Sequence, residues 1–314
     1  MGTPMIKTRF TDAVGIRLPV LQAPMGWIAR SQLASAVSNA GGMGMIETSS
    51  GELENIKREI ETMRSLTDQP FAVNIAQAFV RDPNIVSFII DQGVKFVTTS
   101  AGSPERFTEQ LKVAGLTVYH VVPSLAAAKK AVECGVDGLI VEGAEGGGFK
   151  NPKDVTSLVL LPLIREHLDV PIIAAGGFHD GATLAAALAL GADGIQLGTR
   201  MVASLESPVH DNWKEAIVKA KETDTVFLSR FAPPALRALR TDRTSRLEKD
   251  PNQSGMADFG DPKALYFGGD MEAAIPLTGQ VCGRINEIES VQSILAKVEA
   301  EYAAALQRVS GALS

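Results

Sequence analysis

Three consecutive glycines, Gly146, Gly147 and Gly148, follow an apolar run and two carboxylates in the stretch IVEGAEGGGFKNPKD. Glycine lets the backbone approach a ligand closely or adopt a positive φ, because it has no side chain to clash. The stretch therefore predicts a segment that lies against a flat or charged group. Phe149 and Lys150 come next, and both are candidates for contact with a substrate. For Lys150, a position on a solvated loop face is the alternative.

Two further turns contain glycine, one at Gly176 and Gly177 and the other at Gly198 and Thr199. Backbone N–H groups at such turns, together with the start of the next helix, bind an anion without any basic side chain. Glycines at tight turns are often only steric, so one such turn is weak evidence. Two of them, with the glycine stretch described above, predict a cofactor that carries a phosphate.

Eight short apolar runs alternate with amphipathic segments that end at glycine, such as SQLASAVSNAG and DGATLAAALALG. Near-continuous hydrophobicity is typical of parallel strands covered on both faces, and a terminal glycine is typical of a helix end. This order predicts an α/β fold, a (β/α)8 TIM barrel with its active site at the carboxyl ends of the strands. A doubly wound sheet is the alternative, but no GxGxxG follows the first strand. The predicted strands cover residues 18–24, 42–48, 71–75, 95–100, 117–123, 137–143, 171–177 and 193–199.

The alternation ends after the eighth strand, so the barrel core is predicted to cover residues 1–203. Residues 204–279 are rich in Arg, Asp, Pro and Gly, which predicts an excursion of a few helices and a lid beside the barrel mouth. Residues 280–314 contain apolar positions at helical spacing and predict a closing helix. Four arginines of the excursion recur at three-residue spacing, which predicts that they share one helix face. That face is either solvated or in contact with the phosphates of a nucleotide or coenzyme A. The residues are Arg237, Arg240, Arg243 and Arg246.

Composition excludes several classes of protein. The 314 residues are 45% hydrophobic and carry a formal charge of −6, so there is no basic excess to neutralise nucleic-acid phosphates. Two cysteines, Cys134 and Cys282, are too few for a disulfide framework and lack metal-ligand spacing. No run has the length of a membrane span and no signal-peptide core is present. We therefore expect a cytoplasmic enzyme with no metal, no nucleic acid and no membrane partner.

Polar residues inside apolar strands are candidates for cofactor contact. Asn74 in AVNI and Gln196 in IQLGT need hydrogen-bond partners if they are buried. A ring with carbonyl and N–H edges would supply them, and neighbouring side chains are the alternative. Of the histidines, His120 points either into or out of the barrel, and His210 follows the eighth unit and is a candidate near the mouth. His167 is expected at a solvated position. His179 is also expected to be solvated, and a place near the phosphate is the alternative.

The motifs QAPMG, NAGGMG, AVNI, VVPS, EGAEGGG, PIIAAGGFHDG, ALGADGIQLGTR and GGDMEAAIPLTGQVCG together resemble the nitronate monooxygenase family. That family includes flavin-dependent enoyl-acyl carrier protein reductases and NADH:quinone reductases. The resemblance implies a TIM barrel that binds FMN without a covalent bond. The residues that it implies for the ring, the ribityl chain and the phosphate are Ala23, Pro24, Met25, Gly26, Asn74, Glu142, Gly146, Gly147, Gly148, Ala175, Gly176, Gly177, Gln196, Gly198 and Thr199.

The chain departs from the family pattern at one position. The family run is typically E-x-G-G-H, with the histidine as base or substrate-orienting group, and Phe149 stands there when the run is aligned on Glu145. Phenylalanine cannot take a proton from a nitroalkane carbon. His120 is followed by Val121 where some relatives have lysine, so the candidates for the catalytic role are Phe149 as a packing residue, His120, His210 and Lys150.

The resemblance and this departure favour an FMN-dependent oxidoreductase that takes hydride from NADH or NADPH. Its small-molecule substrate is predicted to be an α,β-unsaturated carbonyl compound, a thioester of coenzyme A or of a carrier protein, or a quinone. The alternatives are a nitronate monooxygenase that oxidises alkyl nitronates with O₂, and a flavin-binding protein without turnover. For the oligomeric state, a homodimer is the alternative to a single chain.

Overall fold

The computed structural model describes residues 5–250 and 254–312. Two sheets and thirteen α-helices organise these ranges. The strands are β1 Val20–Gln22, β2 Gly44–Glu47, β3 Phe71–Ala76, β4 Phe96–Ser100, β5 Thr117–Val122, β6 Gly138–Glu142, β7 Gly148–Lys150, β8 Ile172–Ala175, β9 Gly194–Leu197, β10 Thr225–Leu228 and β11 Ala235–Leu239. The helices are α1 Arg9–Val14, α2 Ser31–Asn39, α3 Leu53–Leu66, α4 Ile85–Asp91, α5 Thr108–Val113, α6 Leu125–Glu133, α7 Ser157–His167, α8 Gly181–Ala189, α9 Thr199–Val202, α10 Asp211–Lys219, α11 Asp242–Lys249, α12 Pro262–Tyr266 and α13 Val291–Gly311.

Eight parallel strands form the main sheet in the order β1-β9-β8-β6-β5-β4-β3-β2. Its two edge strands meet at a parallel bridge between Leu21 and Met43, where the Met43 amide donates to the Val20 carbonyl at 2.8 Å. The sheet therefore curls into a barrel with helices between successive strands. The predicted TIM barrel is confirmed, and each of the eight predicted strands is present within a few residues of its expected bounds.

Strand alternation divides the apolar residues into two layers, because successive side chains point to opposite faces. One layer fills the barrel and includes Leu21, Met45, Ile140 and Tyr119, all almost fully buried. Phe10 of α1 joins this layer and packs against the rings of Phe96 and Tyr119, with centroids 6.0 and 6.1 Å away. The other layer lies between the strands and the surrounding helices.

The excursion differs from its prediction. It contains the antiparallel strands β10 and β11, and β7 from the glycine stretch completes a three-stranded sheet in the order β10-β11-β7. The single helix face predicted for four arginines is wrong, because Arg237 lies on β11 and only Arg243 and Arg246 lie on α11. Val226, Leu228, Leu236, Ala238 and Ile275 form a separate small core here, and that core stabilises strands where residue spacing suggested a helix.

The predicted closing helix is confirmed as α13. Its buried residues Val291, Ile294, Leu295 and Val298 recur at helical spacing and pack in the outer layer. Gly181 begins α8 at the point where the two helices cross, and a Cβ there would collide with the Val298 carbonyl. Glycine at this position therefore permits the close packing of α13 against α8.

Nowhere in the described ranges does a helix combine the length and hydropathy needed to cross a bilayer. Within the same ranges, His, Cys, Asp and Glu side chains form no cluster of three or more that could hold a metal ion. Cys282 is buried and Cys134 is half-buried, and both are free thiols.

Candidate active site at the carboxyl ends of the barrel strands

The turns after β8 and β9 present backbone amides at the barrel mouth. Gly176 and Gly177 both adopt positive φ, +82° and +84°, a conformation that favours glycine. The amide N–H of Gly176 lies at the end of the ladder of β8 with β9, whereas those of Gly177 and Gly198 donate no hydrogen bond to another described residue. A Cβ at Gly198 would meet only the Ala23 side chain, at 3.5 Å. The anion site that the sequence predicts at these turns stays a prediction.

Two glycines of the mouth, Gly147 and Gly176, lie close to the protein's own backbone. A Cβ on Gly147 would lie 2.8 Å from the Gly279 nitrogen, and one on Gly176 would lie 2.8 Å from the Gly143 carbonyl oxygen. The Gly279 amide also donates to the Thr199 hydroxyl at 2.9 Å. The glycine stretch is thus explained at least in part by the segment around Gly279, which packs tightly against it. This contact was absent from the sequence analysis, because nothing in the local pattern links residues more than 100 positions apart.

Asn74 and Gln196, the two polar strand residues selected from the sequence, differ in how they are satisfied. Asn74 donates to the Thr98 hydroxyl at 2.8 Å and lies within hydrogen-bond distance of Ser100, so neighbouring residues serve it. Gln196 pairs with Leu21 and Ala175, both of which face the barrel interior. Its Oε1 is buried without a hydrogen-bond partner. A buried carbonyl oxygen in this state is costly, and a ligand N–H at the mouth would satisfy it.

The loop after β1 is held by contacts within the chain. The Ala23 amide donates to the Leu197 carbonyl at 2.9 Å, and the Met25 carbonyl accepts from Ile28 and Ala29. Met25 is half-buried and packs against the outer layer. Pro24 and Gly26 flank it, and a Cβ at Gly26 would find only the Ser49 hydroxyl, at 3.6 Å.

Glu47, the last residue of β2, organises the loop after β1 and is a residue that the sequence analysis missed. Its carboxylate accepts from the Trp27 amide at 3.1 Å and from the Ser49 amide at 2.7 Å, and it forms an ion pair with Arg30 at 3.1 Å. The available signal was an acidic residue that ends a buried strand and precedes two serines.

Phe149 lies on β7, opposite Leu236 in the ladder with β11. Its half-buried ring packs against the small core of the excursion and contacts Phe79, with ring centroids 5.4 Å apart. Phe79 follows β3 and was not singled out from the sequence. The two rings form an apolar contact between the excursion and the barrel mouth, and neither can exchange a proton.

Lys150 occupies the opposite face of β7 and is buried, so the solvated position offered as an alternative is wrong. Its ammonium lies 2.5 Å from Glu142 Oε1 and also donates to the Phe149 carbonyl at 3.2 Å. Glu142 is the last residue of β6 and pairs with Ala175, so its side chain points toward the barrel interior. A Cβ on Gly146 would approach Glu142 Oε1 to 3.0 Å and Lys150 Nζ to 3.2 Å, so this glycine leaves room for the ion pair.

The histidines are distributed away from one another. His120 points out of the barrel, because its neighbours Tyr119 and Val121 belong to the inner layer. Its Nδ1 lies 2.6 Å from the Thr99 hydroxyl, and burial lowers its pKa to about 4, although a hydrogen bond with the Gly102 backbone opposes this shift. The imidazole is therefore neutral near pH 7.

His210 is exposed and caps α10, where its Nδ1 accepts from the Asn212 amide at 3.1 Å. His179 was expected at a solvated position, and the structure corrects this. It is 7% exposed, its Nε2 lies 3.2 Å from Asp180, and burial lowers its pKa. His167 is exposed as expected, with Nδ1 2.9 Å from the Leu163 carbonyl.

Arg237 and Glu145 connect the mouth to the elements around it. Arg237 is buried and donates to the Ala144 carbonyl at 2.6 Å and to the Thr225 hydroxyl at 3.1 Å, and burial lowers its pKa. Glu145 accepts from the Ser157 amide and hydroxyl at the start of α7. Both residues therefore fix the loop that follows β6.

Comparison with known proteins identifies the family. The family model described as nitronate monooxygenase matches residues 7–84 and 76–301. The chain belongs to the nitronate monooxygenase family. It is an oxidoreductase, as its relatives in this family are.

Three relatives illustrate the range of the nitronate monooxygenase family. A (3aS,4S,5R,7aS)-5-hydroxy-7a-methyl-1-oxo-octahydro-1H-indene-4-carboxyl-CoA dehydrogenase of Rhodococcus jostii is 35% identical over 80% of this chain and 70% of the relative. The structure of FabK from Thermotoga maritima has a TM-score of 0.92 and 35% identity, and the match covers 98% of this chain and 99% of that one. A nitroalkane oxidase from Streptomyces ansochromogenes has a TM-score of 0.81 and 25% identity, with coverage of 96% and 99%.

The residues at the mouth fit the flavin that the sequence resemblance implies. The amides of Gly177 and Gly198, which donate to no other described residue, suit a phosphate. The unpartnered Oε1 of Gln196 suits a ring N–H. Both features lie at the carboxyl ends of adjacent strands, β8 and β9, where barrels of this kind commonly bind phosphate groups.

Proposed function

We propose that this member of the nitronate monooxygenase family is an FMN-dependent reductase that uses NADH or NADPH to reduce an apolar α,β-unsaturated thioester. The observation that carries the proposal is Phe149, which stands where the resembled family has a histidine and packs against Phe79. An aromatic pair at the mouth favours a substrate that needs contact with an apolar wall. It disfavours a substrate, such as a neutral nitroalkane, whose carbon must lose a proton to the side chain at position 149.

The proposed cofactor would be held by the turns after β8 and β9. The amides of Gly176, Gly177 and Gly198 would bind its phosphate, and Gln196 Oε1 would accept from its ring. FMN supplies two-electron chemistry, accepting hydride from one substrate and giving it to another. The chain's own residues would bind and orient the substrates, with Phe149 and Phe79 as an apolar wall beside the mouth.

The thioester is the substrate class that the relatives support. One is named as the dehydrogenase of a CoA ester, and a thioester of coenzyme A or of a carrier protein has the same reactive carbonyl. A quinone is the other acceptor that an apolar mouth would admit. The acyl part is expected to contact Phe149 and Phe79.

The test begins with the purified protein, which should be yellow or should take up added FMN. NADH and NADPH are then each mixed with it under anaerobic conditions, and the loss of flavin absorbance is followed. Reoxidation by an enoyl-CoA or by a quinone would support the proposal. A colourless protein that takes up no FMN, or a reduced protein that neither oxidant reoxidises, would refute it.

The second candidate is oxidation of alkyl nitronates with O₂, which the family description and the similarity to a nitroalkane oxidase favour. Rapid aerobic turnover of nitronates, with no reoxidation by thioester or quinone, would select it. A flavin spectrum without any of these reactions would indicate a binding protein without turnover.

A further inference from the structure

We propose that Lys150 and Glu142 form a proton relay that takes the place of the histidine missing at position 149. This inference rests on the proposed reduction of an unsaturated thioester. The relay would supply the proton donor at the barrel mouth, because Phe149 cannot donate a proton.

The register of β7 determines which residue can reach the barrel. Phe149 lies opposite Leu236 and Lys150 opposite Ala235, and successive side chains of a strand point to opposite faces. Phe149 therefore joins the small core of the excursion, whereas Lys150 reaches Glu142 at the end of β6. With phenylalanine at position 149 in place of the family histidine, Lys150 is the polar side chain of β7 that meets the barrel.

The pair is built so that one member is buried and the other is accessible. The side chain of Lys150 is 4% exposed and that of Glu142 is 24% exposed. Glu142 pairs with Ala175 and thus faces the interior at the carboxyl ends of the strands, where the substrate would bind. Gly146 leaves room for the pair, since a Cβ there would press on both charged groups.

Reduction of an enoyl thioester needs one hydride and one proton. The β-carbon would receive the hydride that bound FMN supplies, and the electron pair of the C=C bond would form a new C–H bond at the α-carbon. Because Glu142 and Lys150 form an ion pair, Lys150 first passes a proton to Glu142 Oε1 across the 2.5 Å hydrogen bond. The carboxyl group so formed donates that proton to the α-carbon and returns to carboxylate, and the neutral Lys150 then regains a proton from water through the exposed side of Glu142.

The experiment separates the two half-reactions in the FMN-loaded enzyme by stopped-flow absorbance. NADH or NADPH reduces each variant anaerobically, and reoxidation is followed with crotonyl-CoA, with a quinone and with ferricyanide. The variants are Glu142→Gln, Lys150→Met and Lys150→Arg, with Lys153→Met on the same loop as the matched control because Lys153 is exposed. Ferricyanide takes electrons without protons and serves as the matched oxidant.

Glu142→Gln should slow reoxidation by crotonyl-CoA about 100-fold or more, within the range of general acid catalysis. Lys150→Met and Lys150→Arg should both slow it, because arginine keeps the positive charge but does not release a proton. Because the sequence resemblance also implies a cofactor contact for Glu142, every rate is expressed per bound FMN. On that basis, reduction by the nicotinamide and reoxidation by ferricyanide should change far less than reoxidation by crotonyl-CoA. The affinity for saturated butyryl-CoA, measured by perturbation of the flavin spectrum, should also change little.

Each alternative result has a distinct meaning. Wild-type rates with crotonyl-CoA in Glu142→Gln would overturn the relay. Full activity in Lys150→Arg with loss in Lys150→Met would also overturn it, since charge alone would then suffice. Equal slowing with ferricyanide would indicate general damage to the site and refute the assignment. A wild-type enzyme that neither crotonyl-CoA nor quinone reoxidises would refute the proposed function, and the relay would fall with it.

Discussion

Phe149 of β7 and Leu236 of β11 are directly opposed in an antiparallel ladder, and both side chains belong to the small apolar core of the excursion. The residue at the position of the family histidine is therefore part of a core as well as part of the mouth. A change at this position should alter substrate preference and the packing of the excursion together.

Phe149→His should raise turnover of neutral nitroalkanes and lower the reduction of a bulky enoyl thioester. Histidine can accept the carbon proton, an effect worth about 10²–10⁴-fold when fully developed. We expect only a fraction of this gain, because the side chain at position 149 packs against an apolar core that does not orient an imidazole by hydrogen bonds. The measurement is kcat/KM of wild type and variant on both substrate classes at matched oxygen.

Phe149→Leu is the control for this prediction, since it keeps an apolar side chain and supplies no base. It should reduce thioester turnover through lost contact with Phe79 without any gain on nitroalkanes. Rapid oxidation of neutral nitroalkanes by the wild type would show that another residue is the base. It would also favour nitronate oxidation as the reaction.

The barrel could be predicted because its strands and helices are encoded locally. The eight barrel strands are three to six residues long and mostly buried, and several of the helices between them end beside a glycine. The excursion could not be predicted in the same way, because β10 and β11 depend on Phe149 and on residues near Ile275. Arg237 at three-residue spacing indicated a helix, but burial against Ala144 and Thr225 places it on a strand.

The two kinds of site prediction differ in the same way. The phosphate turns rest on a local pattern, because Gly176, Gly177 and Gly198 lie between a strand and the next helix, and their role stays a prediction. The Lys150–Glu142 ion pair and the contact of Phe79 with Phe149 depend on strand register and on neighbouring loops. The sequence left Lys150 as a choice between substrate contact and solvent. Its burial excludes the solvated position, and substrate contact stays a prediction.

Gly177→Asp should abolish or greatly weaken FMN binding. The added carboxylate would stand at the turn that offers its amides to the phosphate, and like charges at this distance repel. The measurement is the flavin content of the purified variant, together with the affinity of the apoprotein for added FMN by fluorescence quenching.

Gly135→Asp is the control that separates the effect of the added charge on FMN binding from the effect of backbone strain. Gly135 has a φ of +86°, close to the +84° of Gly177, and a Cβ there would meet no atom within 4 Å. This variant should suffer the same strain and keep its FMN. Normal flavin content in a folded Gly177→Asp protein would contradict the placement of the phosphate.

Arg237→Met should destabilise the folded protein by about 2 kcal/mol. The change removes two buried hydrogen bonds and leaves the Ala144 carbonyl without that donor, and a buried unsatisfied group costs about 1–3 kcal/mol. Arg240→Met is the matched control, because the Arg240 side chain is 38% exposed in its ion pair with Glu248 and exposed pairs contribute little. The measurement is the free energy of unfolding in urea. Equal losses in both variants would contradict the anchoring role of Arg237.

Stability should decrease as the pH falls from about 6.5 to about 4, and His120 should account for part of the loss. Burial holds the pKa of this imidazole at about 4, below its ordinary value of 6.5. Between these two values the unfolded chain binds a proton that the folded protein excludes, so the free energy of unfolding falls as the pH falls. Complete loss of this difference corresponds to roughly 3 kcal/mol, because one pKa unit is worth about 1.4 kcal/mol.

His120→Gln tests this contribution, since glutamine can keep a hydrogen bond with Thr99 but does not titrate. His179 is also buried with a lowered pKa, so the wild type alone cannot assign the slope. The comparison is the free energy of unfolding in urea at several pH values for wild type, His120→Gln and the exposed control His167→Gln. We expect His120→Gln to flatten the dependence between pH 6.5 and 4 and His167→Gln to leave it steep. An equal slope in wild type and His120→Gln would show that the folded protein admits the proton at His120. That residue would then return as a candidate base.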